Sequence, residues 1–502
     1  MSLLLVLLCA GSPGAQQDGR MIVLISDLHL GIGHTPDGAW NPYEDFRWPK
    51  ALAGFLDAAN KEGKERVDLV ILGDMLELWQ RPDETMCAGK SAQTGCTVPE
   101  LVTLVTLVTR AHETELKALR RFSRQGSNRV FIVPGNHDAA LLVPQAWAPL
   151  AHALDTASRR VILVESGVWQ SDDKMVLAEH GHQIGSDVNA FPSWPVVTSE
   201  EDGEELMIRP WGERFVQKLF NAEEQTYPII DNLSPESAGA RYRIADRGAL
   251  ASTKDVAKFI AFNVFETSFE QKRSVLGKPV PGQPEVFERT SAEAAGYKLF
   301  NDSLPEHDPL RAMLDSDTAD AISLRSELNT VVKSLSDEDL RMLCRNATAY
   351  TGANPCSSTL TAAAVALLVP KGLIFKKHLA ARQKQYGEFR VFVYGHTHQW
   401  EDEWKVAPGN AGDEVSIFNT GAFQRLIDES QFLEKARARN VTPAEALHQL
   451  QPEDLPACYG SVFIKVVNGN PEAQLRLWQM EERGTGQFRQ PGASNCPGGV
   501  PQ

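Results

Sequence analysis

Five times in this chain a short apolar run ends in a tight cluster of Asp, Asn or His. Met21–Ile25 leads into Ser26-Asp27-Leu28-His29-Leu30, Val67–Leu72 into Gly73-Asp74, and Arg129–Val133 into Gly135-Asn136-His137-Asp138. The run 175–178 leads into Glu179-His180-Gly181-His182, and 389–394 into Gly395-His396-Thr397-His398. Runs of this length, rich in Val, Ile and Leu and closed by turn residues, read as buried strands. Others lie at 161–164, 414–418, 461–467 and 474–478. Helical patterns separate several of them, at 43–60 and at 99–124, where Leu101, Leu104, Val105, Val108, Ala111, Leu119 and Phe122 mark one face. Strands alternating with helices predict a layered α/β fold. In such folds functional groups collect at the carboxyl ends of strands.

Between about 185 and 385 the pattern changes. Strand signals become few and helical ones recur, at 211–225, 253–271 and 310–335. The expected organisation is a possible leader over 1–19, a first core part over 20–184, a mostly helical insertion over 185–385, a second core part over 386–481 and a frayed tail over 482–502.

With 502 residues, 42 % of them hydrophobic and 23 % charged, the chain has ample material for a large core. The net charge of −15 opposes a generic nucleic-acid binder, which needs basic surface to displace counterions. Residues 3–9 are apolar and Ala10-Gly11-Ser12-Pro13-Gly14-Ala15 follows, the outline of a short secretory signal, although no Lys or Arg precedes the run. A start at Met21, and hence a cytoplasmic chain, is the alternative. Removing a leader would remove Cys9 and leave six cysteines, of which Cys87/Cys96 and Cys344/Cys356 are close pairs. Such pairs suit local disulfides in an oxidising compartment, so a periplasmic or secreted protein is expected, with connectivity left open.

Each motif alone is weak: an Asp-x-His pair is usually a capping pair and a Gly-Asp usually a turn. Five together at strand ends, supplying carboxylates, an amide and imidazoles, point to a metal centre. In this order the five resemble the calcineurin-like metallophosphoesterase superfamily, over about 20–184 and 386–480. Asp-Leu-His-Leu, Gly-Asp-Met-Leu-Glu-Leu-Trp and the His-Gly loop are most similar to its UDP-2,3-diacylglucosamine hydrolase branch. That branch commonly has Arg where this chain has His137, and His-Gly-Asp where it has His-Gly-His. Asn419-Thr420-Gly421 is similar to a recurring family segment.

The resemblance implies a two-sheet α/β sandwich flanked by helices, and two divalent metal ions. Asp27, His29 and His398 would hold the first, Asn136, His180 and His396 the second, and Asp74 would bridge both. Mixed nitrogen and oxygen ligands suit Mn, Fe, Zn or Co. The implied activity is hydrolysis of a phosphate ester or phosphoanhydride by attack of a metal-bridging hydroxide. His137 would stabilise phosphoryl charge or protonate the leaving oxygen, with Asp138 orienting its ring. His182 would either line the pocket or hydrogen-bond to the insertion. A nuclease on the same core and a non-catalytic binding module are the alternatives. The expected partner is a phosphorylated small molecule or a lipid-linked substrate. The basic segment 371–384, after the apolar 360–369, could meet an anionic substrate or a membrane face, or be a solvated helix. The insertion, leaving the core just after His180 and returning just before His396, would cap the site and select substrate.

Overall fold

The computed structural model describes residues 19–80, 87–210 and 371–497, apart from 88, 92, 186–188, 410–412, 481–483 and 493–495. Of the stretch 211–370 it describes parts of 212–234, single residues at 242, 289 and 293, and 316–334. The possible leader, the expected helix at 253–271, the apolar 360–369 and the pair Cys344/Cys356 lie outside the described residues.

In chain order the first strands are β1 (Met21–Ile25), β2 (Val67–Leu72), β3 (Thr94–Thr97), β4 (Arg129–Val133), β5 (Val161–Leu163), β6 (Val168–Gln170), β7 (Val176–Glu179), β8 (Thr198–Glu201) and β9 (Glu204–Ile208). There follow β10 (Leu233–Ser234), β11 (Val391–Tyr394), β12 (Trp400–Val406), β13 (Val415–Thr420), β14 (Ile427–Asp428), β15 (Cys458–Val467), β16 (Asn470–Gln479) and β17 (Gln487–Arg489). One sheet has the order β17-β16-β15-β1-β2-β4-β5, and a second β12-β13-β11-β7-β6. β1, β2, β4 and β5 are mutually parallel, as are β7, β11 and β13. Their carboxyl ends therefore open on one edge of the sandwich, and the five motifs follow β1, β2, β4, β7 and β11.

Alternation along β1 and β2 explains the layering. Ile22, Leu24, Val70 and Leu72 face the second sheet and pack on Val176, Ala178, Val391, Val393 and Phe418. Val23, Ile25, Leu69 and Ile71 face the opposite way, onto α1 (Pro49–Glu62), α2 (Val98–Ala111), α3 (Glu113–Arg124) and α4 (Pro144–Leu154) through Leu52, Phe55, Leu101, Leu104 and Leu119. The far face of the second sheet is covered by Ile374, Phe375 and Leu379 of the helix Lys371–Tyr386. Strands buried on both faces are what near-continuous apolar runs require. The fold is thus the expected two-sheet sandwich flanked by helices. Helices also occur in the described parts of the insertion, at Asn221–Glu224, Ala319–Ser334 and Lys371–Tyr386.

Four local features differ from the expectation. The helix expected over 99–124 is two helices, broken at His112, whose imidazole turns inward to Glu44 and Glu115, each at 3.3 Å. The insertion begins with the β8–β9 hairpin, turned by Asp202-Gly203; both residues have positive φ, as a two-residue hairpin loop demands. The expected frayed tail instead adds β17 to the main sheet and is tied back by the Cys458–Cys496 disulfide. Of the basic segment, Lys371 pairs with Glu401 and Arg382 with Glu179, so those two cations serve packing and not a ligand. A second disulfide joins Cys87 to Cys96, as their spacing suggested. Two disulfides favour an oxidising environment. Among the described residues no helix is long and apolar enough to cross a membrane.

Candidate metal centre

The turns that leave β1, β2 and β11 are sharp. Asp27, His29, Asp74, His396 and His398 all have φ between 49° and 74°. For residues other than glycine this left-handed region is uncommon and costs energy, and such residues concentrate at functional sites. The turns are held from behind. Asn419 donates to Gly395 O (3.2 Å) and Thr397 Oγ1 (2.8 Å) and accepts from Gly421 N (2.8 Å). Gly135 packs so close to Asp74 that a Cβ would collide with its carboxylate and backbone.

Three groups of side chains converge, each with its potential ligand atoms within 4.8 Å of one another: Asp27, His29 and His398; Asp74, His180 and His396; and His29, Glu77 and His137. His398 Nε2 lies 3.2 Å from His29 Nε2 and 3.6 Å from Asp27 Oδ1. His180 Nε2 lies 2.8 Å from Asp74 Oδ2 and 3.0 Å from Asn136 Oδ1, which brings Asn136 to the second group. Asp74 Oδ2 is also 4.0 Å from His29 Nε2, so one carboxylate oxygen stands between the first two groups.

Hydrogen bonds orient each ring and carboxylate. His180 Nδ1 donates to Leu72 O at 2.9 Å, and His29 Nδ1 to Glu77 Oε2 at 2.7 Å. Both arrangements turn Nε2 toward the centre, the usual way a protein presents imidazole to a metal. Asp27 Oδ2 accepts from Ser26 Oγ and from His396 N, while Oδ1 is buried with no hydrogen-bond partner among the described residues. Asp74 Oδ1 accepts from His137 N at 2.9 Å.

The electrostatics call for cationic charge. Burial pushes the Asp27 carboxyl up. Burial opposes ionisation of Asp74 too, but His180, His137 and His29 outweigh it and hold its carboxyl well below the usual range. Burial also disfavours charge on His180, yet Asp74 and Asp27 raise its imidazole to about 9. Burial and neighbouring histidines keep His396 well below, and His398 at about 3, so both are neutral. Buried carboxylates beside neutral imidazoles, with an orphaned oxygen aimed into the cluster, fit divalent metal ions of intermediate hardness.

Two sequence expectations need correction. Asp138 does not orient His137: its carboxylate accepts from Gly135 N (2.6 Å), Met75 N (2.8 Å) and Leu76 N (3.3 Å), pinning the third motif to the second. The carboxylate on the ring is Glu77, whose Oε2 is 2.6 Å from His137 Nδ1, while Trp79 stacks on the ring at 4.0 Å. Sequence reasoning assigned neither a role, although both stand in Gly-Asp-Met-Leu-Glu-Leu-Trp; a carboxylate three residues beyond Asp74 was the available signal. His182 makes no hydrogen bond to the described insertion residues and lies beside the candidate ligand His180, ring centroids 5.5 Å apart. It is buried edge-on to Trp194 at 4.4 Å, and neither ring nitrogen has a partner among the described residues. Asn189, absent from the sequence reading, places Nδ2 3.5 Å from His396 Nε2.

The calcineurin-like phosphoesterase family profile matches residues 21–250, a span that holds the first four motifs. A search of curated proteins gives no match. The two-sheet fold, the converging ligand groups and the profile match agree on a metal-dependent hydrolase core, similar over residues 21–250 to the calcineurin-like phosphoesterases.

Proposed function

We propose that the protein is a dinuclear phosphohydrolase that cleaves a phosphate ester or phosphoanhydride. The observation that carries this reading is the position of Asp74, with Oδ2 2.8 Å from His180 Nε2 and 4.0 Å from His29 Nε2. Asp27, His29 and His398 would hold one ion, Asn136, His180 and His396 the other, and Asp74 both. Bound there, two divalent ions supply Lewis acidity toward phosphoryl oxygens and lower the pKa of water. The chain's own groups do the rest. Asp138 and the His137 backbone N–H fix the turn carrying Asn136. Glu77 accepts a hydrogen bond from His137 Nδ1–H, which keeps the proton on Nδ1 and supports the imidazolium form that can donate its Nε2 proton to a leaving oxygen. Trp79 keeps the ring edge-on to His29, centroids 4.7 Å apart.

The likeness of the second motif to the UDP-2,3-diacylglucosamine hydrolase branch supports a phosphorylated small molecule or a lipid-linked substrate. The insertion is the proposed source of selectivity, because two of its described residues reach the surroundings of the metal centre. Gln80, beside Trp79, donates to Glu224 at 2.6 Å, and Asn189 reaches His396. The disulfides support a periplasmic or secreted protein, which intact mass and thiol titration of purified protein would test.

The function is tested by stripping the chain with chelator and adding back Mn, Fe(II), Zn or Co, with a chromogenic monoester, a diester and a pyrophosphate as substrates. Activity restored by at least one ion at a stoichiometry near two is expected. No hydrolysis with any ion defeats the reading. Replacing residues 190–380 by a short linker should retain cleavage of the small chromogenic ester while selectivity among larger substrates collapses.

A further inference from the structure

The residue by which the insertion enters the metal centre is Asn189. Its side chain is buried, with 3 % of the residue exposed. Nδ2 approaches His396 Nε2 at 3.5 Å, long for a hydrogen bond, and Oδ1 has no hydrogen-bond partner among the described residues. A neutral imidazole nitrogen has one lone pair, so His396 Nε2 cannot both accept from Asn189 and hold a metal ion. An ion held by that nitrogen would leave the carboxamide without this contact, a buried donor beside His396. Buried polar groups are kept where something pairs with them. Its position is fixed by the turn that carries it: Phe191 and Trp194 pack on each other at 5.4 Å and both meet His182 edge-on. His182, with neither nitrogen partnered among the described residues, is a second such polar group on this wall, its ring centroid 6.5 Å from that of His396.

We propose that Asn189 is a substrate-contact residue, whose carboxamide donates from Nδ2 to a non-bridging phosphoryl oxygen seated on the His180–His396 side of the centre. The inference rests on the phosphohydrolase reading and deepens it. The insertion then contributes to recognition of the phosphoryl group itself, in addition to walling the pocket. A neutral donor suits this place, because it binds an anion without repelling the ions that hold it.

The probe is inorganic phosphate, titrated by calorimetry into the manganese-loaded full chain, with bound metal counted by mass spectrometry and the fold checked by thermal melting. Asn189→Ala should keep both ions and the melting temperature, and weaken phosphate binding roughly ten- to hundredfold, the loss expected for one hydrogen bond to a charged group. Asn189→Asp should weaken it further, by placing a carboxylate against the anion. Should the alanine variant fail to fold, Asn189→Ser, whose hydroxyl is too short to reach, carries the same comparison. Unchanged phosphate affinity in a wild-type background that hydrolyses phosphoesters overturns the inference and leaves the phosphohydrolase reading standing. Loss of one ion also overturns it, by making Asn189 a ligand. A wild-type chain that binds neither manganese nor phosphate removes the reading and the inference together.

Discussion

Glu77 Oε2 sits 2.6 Å from His137 Nδ1 and, through the same oxygen, 2.7 Å from His29 Nδ1. A single buried carboxylate thus orients a candidate metal ligand and the candidate proton donor beside it. Its other oxygen accepts from Trp79 N (2.6 Å) and Gln80 N (2.8 Å), which fixes its rotamer. Burial opposes its charge, but His137 and His29 hold the carboxyl well below the usual range, so it stays ionised.

Glu77→Gln keeps the volume and removes the charge. Outer-shell partners of metal-binding imidazoles are worth roughly 10–100-fold in affinity or activity. The variant should lose activity in that range and bind metal more weakly at the Asp27–His29–His398 group. Metal titration and steady-state kinetics check this; wild-type values in both would remove Glu77 from the site.

His137→Ala should behave differently. It should retain both ions and lose roughly 10²–10⁴ in rate, the worth of a positioned acid–base group. Because Asp138 holds backbone rather than the ring, Asp138→Asn should act through stability, lowering the melting temperature and disturbing Asn136. A specific kinetic defect in a fully stable Asp138→Asn protein would contradict that assignment.

Asp74→Ala removes the one carboxylate placed between both groups. Loss of both ions, or of nearly all activity, is expected from elemental analysis paired with kinetics. Two bound ions and full activity would rule out the bridge.

Stability should depend on His112. Burial disfavours its charge, but Glu115 and Glu44 outweigh this and raise its pKa to about 9 from an ordinary 6.5. The folded-state pKa is the higher one, so this contribution is complete below about pH 6.5 and is lost as pH rises through about 9. A shift of this size corresponds to about 3 kcal/mol. Urea unfolding from pH 6 to 10 should show that decline in wild type and not in His112→Gln. The effect reaches the site, because Glu44 also accepts from Gly33 N at 2.6 Å in the loop after His29. Parallel pH curves for the two proteins would exclude it.

Cys496→Ser should also destabilise. The Cys458–Cys496 link closes a separation of 38 residues, for which loop entropy predicts up to about 4 kcal/mol. Denaturant melts of the variant, compared with wild type with and without reductant, measure this. No change would mean that β17 and its packing hold the tail unaided.

Much of the site was legible in the sequence because it is local. A short Val-, Ile- and Leu-rich run closed by turn residues reads as a buried strand, and the Asp or His that follows emerges at its end. Parallel pairing then brings those ends to one edge, so Asp27, Asp74, Asn136, His180, His396 and His398 meet as their order suggested. Which carboxylate serves which ring was not legible. Asp138 is adjacent to His137, yet the turn curls its side chain back onto the N–H groups of Gly135, Met75 and Leu76. Glu77, sixty residues away, arrives at the ring from another strand end. Asn189, the Glu179–Arg382 pair, the Cys458–Cys496 link and β17 share this character. Each joins residues far apart along the chain whose meeting depends on the packing of whole elements. Periodicity and motif spacing decide which atoms are offered at the strand ends, and only the packed sandwich decides which of them meet.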